Sequence, residues 1–510
     1  MSEAGDNARD LVSVRGRWLA LLAAVLGWAF DGFEMGVFAL IAQPALGQLL
    51  PQPTEADVGR WYGLIQAGFL VGAATGGVLF GWIGDRFGRV RAMILSILTY
   101  ALCTALGAFA TSAEQLGACR FVAALGMGGE WSLGLALVME IWPQRSRPWL
   151  AGVIGASVNL GFMGVALVSL SLAALLGGIE SMLHAWSIPQ SVVDWLMAAR
   201  GWRLLLLTGA FPALLTLFIR WAVPESWQWE AAAAAGATRH WSNRDLVGIL
   251  AAAGGGLTMI AAWASELPLT SRLGITVAGY LLVLAGCVYP VRSYYRRRAA
   301  AGVRGLGDWF SLRQRLLMGA VLSGVPLLGT WGAIQWIPLW TAQMAGPAAR
   351  DIAALVSALG GGLGGVAAAL AANRWGWRRS YAVLCLAAGL STVGLFQLSV
   401  PTAPGFLLWV FASGVCAGSF TGWLPFYLPT LFPTPVRSIS QGFAFNHGRI
   451  LAALGTLQVG TLLGWFGGYP AACTAACGIY ALGLALCPWT PGPWAAPGRL
   501  GQHDGPGCAC

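Results

Sequence analysis

Gly81-Trp82-Ile83-Gly84-Asp85-Arg86-Phe87-Gly88-Arg89-Val90-Arg91 is a short, charged stretch between two long apolar runs. A worn copy, Asn373-Arg374-Trp375-Gly376-Trp377-Arg378-Arg379, joins two later apolar runs, with Asn373 standing 288 positions after Asp85. A second pair repeats in step. Glu140-Ile141-Trp142-Pro143 with Arg147 answers to Thr430-Leu431-Phe432-Pro433 with Arg437, at an offset of 290. Two independent motifs at nearly one offset imply two homologous halves in parallel orientation.

The surrounding composition sets the class. Of 510 residues, 57% are hydrophobic and 10% charged, against about 25% charged in a soluble domain. Apolar runs long enough to span a bilayer lie at about 18–42, 61–83, 91–111, 115–139, 149–176, 202–223, 246–264, 272–291, 315–342, 350–372, 380–399, 404–429, 437–465 and 468–489. The chain therefore reads as an all-α polytopic membrane protein with 14 spans. Every basic residue is arginine. With the N-terminus inside, only Arg60, Arg200, Arg203, Arg272 and Arg350 fall in outer segments, and Arg120 and Arg449 fall within spans. That asymmetry puts both termini in the cytoplasm. The net charge of +10 is spread over short loops, which excludes a nucleic-acid binder. Residues 1–16 are polar and unlike a signal peptide, and the first apolar run is too long for one.

Six helices per half leave a surplus between the halves, the weak spans at 246–264 and 272–291. An added pair preserves the orientation of everything downstream. The expected organisation is a cytoplasmic tail at 1–17, a six-helix bundle at 18–223, a central segment with two extra helices at 224–314, a second bundle at 315–489 and a cytoplasmic tail at 490–510. The span at 246–264 holds Gly254-Gly255-Gly256 and has a surface-lying segment as its alternative. The outer loop is expected at 177–200.

Ionisable residues at membrane depth are functional by default. Asp31 lies about 20 Å along the first span, with Glu34 three residues later on the same face. Two nearby carboxylates cannot both ionise cheaply, so one is suited to load and release a proton. Structural pairing of Asp31 with an arginine is the alternative, and Glu34 has the outer mouth as its alternative place. Glu130 is a second proton-site candidate, with a buried ion pair as its alternative. Arg120 has two readings, a clamp on a substrate carboxylate or a permanent partner of Asp31. Arg449, with Asn446 one turn earlier, offers a guanidinium and an amide to a carboxylate bearing other polar groups. At the 290 offset Asn159 corresponds to Arg449, so it joins the substrate candidates. Gln335, Trp336, Trp340, Trp423 and Tyr427 are candidates for the second-half wall, and His447 reads as a packed histidine. No cysteine or histidine spacing suggests a metal. No phosphate-binding loop of the Gly-x-x-x-x-Gly-Lys type exists, so no nucleotide or other cofactor is expected. Cys508-Ala509-Cys510 resembles a double-prenylation ending, from which a polytopic protein gains little.

The stretch Gly81–Arg91 resembles the cytoplasmic signature of the major facilitator superfamily. Arg120-Phe121 followed by Gly126-Met127-Gly128-Gly129-Glu130 is similar to its fourth-helix motif, and Asp31-Gly32-Phe33-Glu34 to the Asp-Gly-Phe-Asp of metabolite:proton symporters. Gly201-Trp202-Arg203, Pro224-Glu225-Ser226 and Leu431-Phe432-Pro433 with Gly442 and Asn446 extend the match over almost the whole chain. The extra central helices resemble the sialic-acid permeases, and the Asn446/Arg449 pair resembles the aromatic-acid symporters. The resemblance implies two six-helix bundles with alternating access. It also implies a gate formed by Asp85, Arg86, Gly88 and Arg89, with Glu140 and Arg147 beside it; arginines that merely keep the loop on the cytoplasmic side are the alternative. Drug antiporters of this superfamily carry a Gly-Pro element in the fifth helix. It is absent from Gly152–Asn159 here, which disfavours efflux.

The expectation is a monomeric, proton-coupled importer of an organic acid in a bacterial inner membrane. A sialic-acid-like or other carboxylate metabolite is the first substrate class. An aromatic-acid or sugar transporter, an uncoupled facilitator or an exporter are the alternatives. A membrane-embedded enzyme would need a polar cluster at a membrane face, and Glu180, His184 and Asp194 lack such spacing. A non-transporting sensor would be expected to have a soluble domain.

Overall fold

The computed structural model describes residues 13–303, 308–457 and 465–494, and all regular elements among them are helical. The expected tails, the Cys508-Ala509-Cys510 ending and the far end of the span at 437–465 lie wholly or partly outside the described residues. The first half comprises α1 (Val14–Leu49), α2 (Glu55–Phe87), α3 (Arg89–Gly107), α4 (Ala113–Ile141), α5 (Arg147–Ala185), α6 (Gln190–Leu207) and α7 (Pro212–Ala222). A central segment holds α8 (Trp227–Ala234), α9 (Asp245–Ala264) and α10 (Leu269–Ala300). The second half comprises α11 (Trp309–Gly332), α12 (Ile337–Ala345), α13 (Pro347–Trp375), α14 (Trp377–Leu398), α15 (Phe406–Gly418), α16 (Phe420–Tyr427), α17 (Arg437–Leu457), α18 (Tyr469–Ala476) and α19 (Gly478–Leu486).

Several short helices join end to end, and 13 helical stretches among the described residues are long and apolar enough to cross a membrane. The next candidate, α17, is described only to Leu457. Local chemistry sets the helix starts. Ser13 and Ser112 accept from the backbone N–H groups of Gly16 and Gln115, and Thr54 forms a capping box with Asp57. Each satisfies donors that a helix start leaves open. Leucines such as Leu102, Leu106, Leu250 and Leu390 project outward, as lipid-facing positions require.

The expected outer loop at 177–200 is a correction. Helix α5 continues to Ala185 and α6 begins at Gln190. Polar residues and Gly177-Gly178 lower the hydropathy there, but nothing in them stops a helix that has left the apolar layer. The backbone breaks from helical geometry at Ala198–Gly201, where Ala199, Arg200 and Gly201 have φ of 49°, 61° and 63°.

The repeat is visible at two glycines. Gly88 links α2 to α3 with φ 114°, and Gly376 links α13 to α14 with φ 82°. Both lie in the left-handed region that side chains avoid. The halves meet along α2 against α17 and α5 against α13. Helices α9 and α10 form a tight antiparallel pair that packs mainly on α2. Gly254-Gly255-Gly256 lies within the 20-residue α9; Gly254 is exposed, and Gly255 and Gly256 are buried, a Cβ on Gly256 standing 2.3 Å from Val71 of α2. The base of this pair is fixed by Arg297, which donates to both Asp245 carboxylate oxygens at 2.8 and 2.7 Å.

Candidate functional site

A cavity of about 1010 Å³ opens between the halves. Its inner end is aromatic. Trp28 of α1 stacks on Trp131 of α4 with centroids 5.4 Å apart, and Trp131 lies against Phe445 of α17 at 3.6 Å and 7°. The Arg449 guanidinium sits 5.5 Å from the Phe445 ring, one helical turn further along α17. All four side chains line the cavity, together with Asp31, Asn159, Gln335 and Trp336.

The polar groups there are sparse and open. Asp31 Oδ1, Asn159 Nδ2, Arg449 Nε and Trp28 Nε1 are buried and lack a hydrogen-bond partner among the described residues. Asp31, Glu130 and Arg449 lie within electrostatic reach of one another. Glu130 does not line the cavity. Its carboxyl group rests against Gly27 of α1, where a Cβ would collide with it, and the Tyr100 hydroxyl of α3 lies beside it without a well-formed hydrogen bond. A buried, unpaired carboxylate is costly to hold charged. An aromatic surface with a guanidinium at its edge and carboxyls beside it can bind an organic anion and handle a proton.

Other expected residues fall elsewhere. Arg120 is paired with Glu34, not Asp31, and that ion pair is buried. Thr104 also donates to Glu34 at 2.8 Å, and the Arg120 guanidinium lies between the Phe38 and Phe69 rings, 4.7 and 4.6 Å away. Glu34 therefore sits inside the first half and not at a mouth. Neither residue lines the cavity. Asn446 also faces away from it: its amide donates to the carbonyls of Gly442 and Gly128, at 3.0 and 3.4 Å. Trp340 packs with Phe396 and Phe406, and Trp423 and Tyr427 pack with Trp377. His447 shares a 2.8 Å hydrogen bond with Tyr280.

Sequence reasoning missed Trp28, Trp131 and Phe445. Their spacing carried a signal: Trp28 is one turn before Asp31, Trp131 follows Glu130, and Phe445 is one turn before Arg449.

The opposite, closed end of the interface is ionic. Asp85 accepts from the backbone N–H groups of Ser438 and Ile439, at 3.1 and 3.0 Å. It thereby caps the first turn of α17 across the boundary, where a carboxylate meets open donors and the positive end of the helix dipole. Arg89 pairs with Asp85 at 3.0 Å and Glu140 at 3.4 Å, and donates to the Thr434 carbonyl at 2.9 Å. Arg437 completes the link to Glu140 at 2.6 Å. The side chains of Asp85, Arg89 and Glu140 are fully buried.

Gly88 is required here for space as well as conformation, since a Cβ would stand 2.5 Å from Glu225 Oε2. Glu225 accepts from the backbone of Arg89, Val90 and Ser226 at 3.0–3.1 Å, capping α3 where Gly88 has no side chain to do so. Burial holds its carboxyl above the usual glutamate range despite those bonds and nearby Arg89. Arg86 stands apart from the network: it donates to Asn243 at 2.5 Å and lies over Trp82 and Phe87. Arg147 opens α5 at the same end.

Comparison with known proteins gives the company this chain keeps. The family described as "Sugar (and other) transporter" matches residues 19–247. A probable 4-methylmuconolactone transporter of Cupriavidus pinatubonensis is 27% identical over 92% of this chain and 90% of its own. A gallate transporter of Pseudomonas putida is 25% identical over 88% and 86%. A sialic acid transporter of Escherichia coli is 31% identical over a shorter stretch, 41% of this chain and 44% of its own. Among solved structures, the proton:xylose symporter XylE aligns over 93% of this chain and 96% of its own, with a TM-score of 0.63 at 17% identity. The chain thus shares the fold of that structure, which is described as a major facilitator superfamily protein.

Proposed function

We propose that this chain, a transporter of the major facilitator superfamily, imports an organic acid together with a proton by alternating access. The observation that carries the reading is the placement of Arg449 and Asp31 on one cavity between the halves, closed at its far end by an ionic seal. The guanidinium takes the substrate carboxylate. Asp31 and Glu130 carry the proton in turn, because both are buried and neither sits in a close ion pair among the described residues.

In this reading Asp85, Arg89, Glu140 and Arg437 form the cytoplasmic gate, and the cavity faces outward. Arg86 and Arg147 flank that gate, and Arg120 with Glu34 braces the first half. The protein sits as a monomer in a bacterial inner membrane with 14 spans, α17 being the one beyond the 13 stretches above. Both termini are cytoplasmic.

The stack of Trp28, Trp131 and Phe445 favours a flat, conjugated acid over a polyhydroxy acid, because a ring face offers dispersion and few hydrogen bonds. On that ground we read the substrate as closer to those named for the muconolactone and gallate transporters than to sialic acid.

Uptake into proteoliposomes tests the reading, with gallate, cis,cis-muconate, sialic acid and a neutral hexose offered with and without an inward proton gradient. Gradient-driven uptake of one acid, lost in Asp31→Asn, is expected. Uptake of the hexose alone, or transport indifferent to the gradient, refutes acid–proton symport.

A further inference from the structure

The inserted pair α9 and α10 is attached unequally to the two halves. Toward the first half its contacts are broad. Gly256 packs on Val71 of α2, and Arg60 of α2 donates to the Ala264 carbonyl at the end of α9. Arg86 of α2 holds Asn243 in the segment before α9. Toward the second half the pair meets α17 over a narrow strip. Among the described residues one side-chain hydrogen bond lies in that strip, between the Tyr280 hydroxyl of α10 and His447 Nε2 of α17 at 2.8 Å. His447 is two residues from Arg449. The pair also reaches the transport cavity itself, because Trp263 of α9 forms part of its wall, held by a 3.0 Å bond to Thr276 of α10.

We propose that the inserted pair is a moving wall of the transport site. It rides with the first half, and the Tyr280–His447 hydrogen bond latches it to α17 in the conformation seen here. The geometry behind this is simple. If α2 and α17 swing apart in the transport cycle, contacts to α2 travel with α9, whereas a bond from α10 to α17 must break. In a largely apolar setting one such bond has few replacements. Tyr280 is thus a positioning residue: it acts on the helix that carries Arg449 and not on substrate.

The test needs no known substrate. In a protein whose native cysteines are serine, Ala39→Cys places a thiol on the cavity wall. Its rate of reaction with a membrane-impermeant maleimide reports how often the cavity is open. Tyr280→Phe keeps the ring and removes the hydroxyl, and it should slow labelling by up to about five-fold, the effect of one ordinary hydrogen bond on a two-state equilibrium constant. His447→Ala should slow it equally, the double variant no further, and His447→Gln should label at the parent rate. Parent-rate labelling in a well-folded Tyr280→Phe protein, or additive slowing in the double variant, overturns the latch.

Discussion

Trp131 and Phe445 lie face to face across the boundary between the halves, with centroids 3.6 Å apart and planes 7° from parallel. Trp131 belongs to the helix of Glu130, and Phe445 to that of Arg449. The stack therefore ties an expected proton carrier to the expected substrate clamp. Phe445→Leu keeps an apolar side chain but removes the ring face. For a flat acid the apparent affinity should fall about five-fold, the worth of an aromatic pair beyond its area. Titration of tryptophan fluorescence with gallate or cis,cis-muconate would check it, and an unchanged affinity would remove the stack from the substrate site.

Arg449 presents a planar fork that matches a carboxylate. Arg449→Gln should weaken acid binding roughly 100-fold, as loss of a charged partner in a desolvated site does. Arg449→Lys should recover only part, since an ammonium cannot make the paired contact. Full recovery with Lys, measured by the same titration, would mean that Arg449 supplies charge alone.

Asp31 and Glu130 separate binding from coupling. Asp31→Asn and Glu130→Gln should each abolish uptake driven by a proton gradient. At least one should retain exchange of labelled for unlabelled acid across the membrane, which needs no net proton movement. Loss of both activities in both variants would assign these carboxyls to structure.

The helices, the repeat and the deep charges were legible because each has a local cause: apolar length, a recurring motif, a charge where lipid forbids it. The partners were not. Nothing in the spacing of Arg120 separates Glu34 from Asp31, since both stand on the same helix of another part of the chain. Asn446 and Arg449 share a face only approximately. One turn places Arg449 on the cavity, while Asn446 turns into the α2–α17 contact, where a Cβ on Gly77 would stand 2.4 Å from its amide. The aromatic floor was hidden for a different reason: a chain with 26 tryptophans gives no cue as to which rings meet.

At the sealed end, Asp85 holds the first turn of α17 from across the interface. Asp85→Asn keeps the shape but loses the charge that pairs with Arg89 and the helix dipole. The seal should open more often, and the Ala39→Cys cavity thiol should react more slowly with a reagent confined to its own side. Faster reaction from that side would mean that Asp85 stabilises the other conformation.

Glu225, beside the seal, makes the stability of the fold depend on pH in a direction that can be worked out. Its carboxyl lies above the usual glutamate range in the folded protein, chiefly through burial. The folded state therefore binds this proton more tightly than the unfolded chain does. The resulting stability is complete below the unfolded value near 4.3 and is lost as pH rises through the folded value. Glu225→Gln cannot titrate. Whatever its stability at acid pH, its apparent melting temperature should gain on the parent's as pH rises from about 4 to neutrality, with the parent falling relative to it. Parallel melting curves across that range would mean that the N–H bonds from Arg89, Val90 and Ser226 balance the cost of burial.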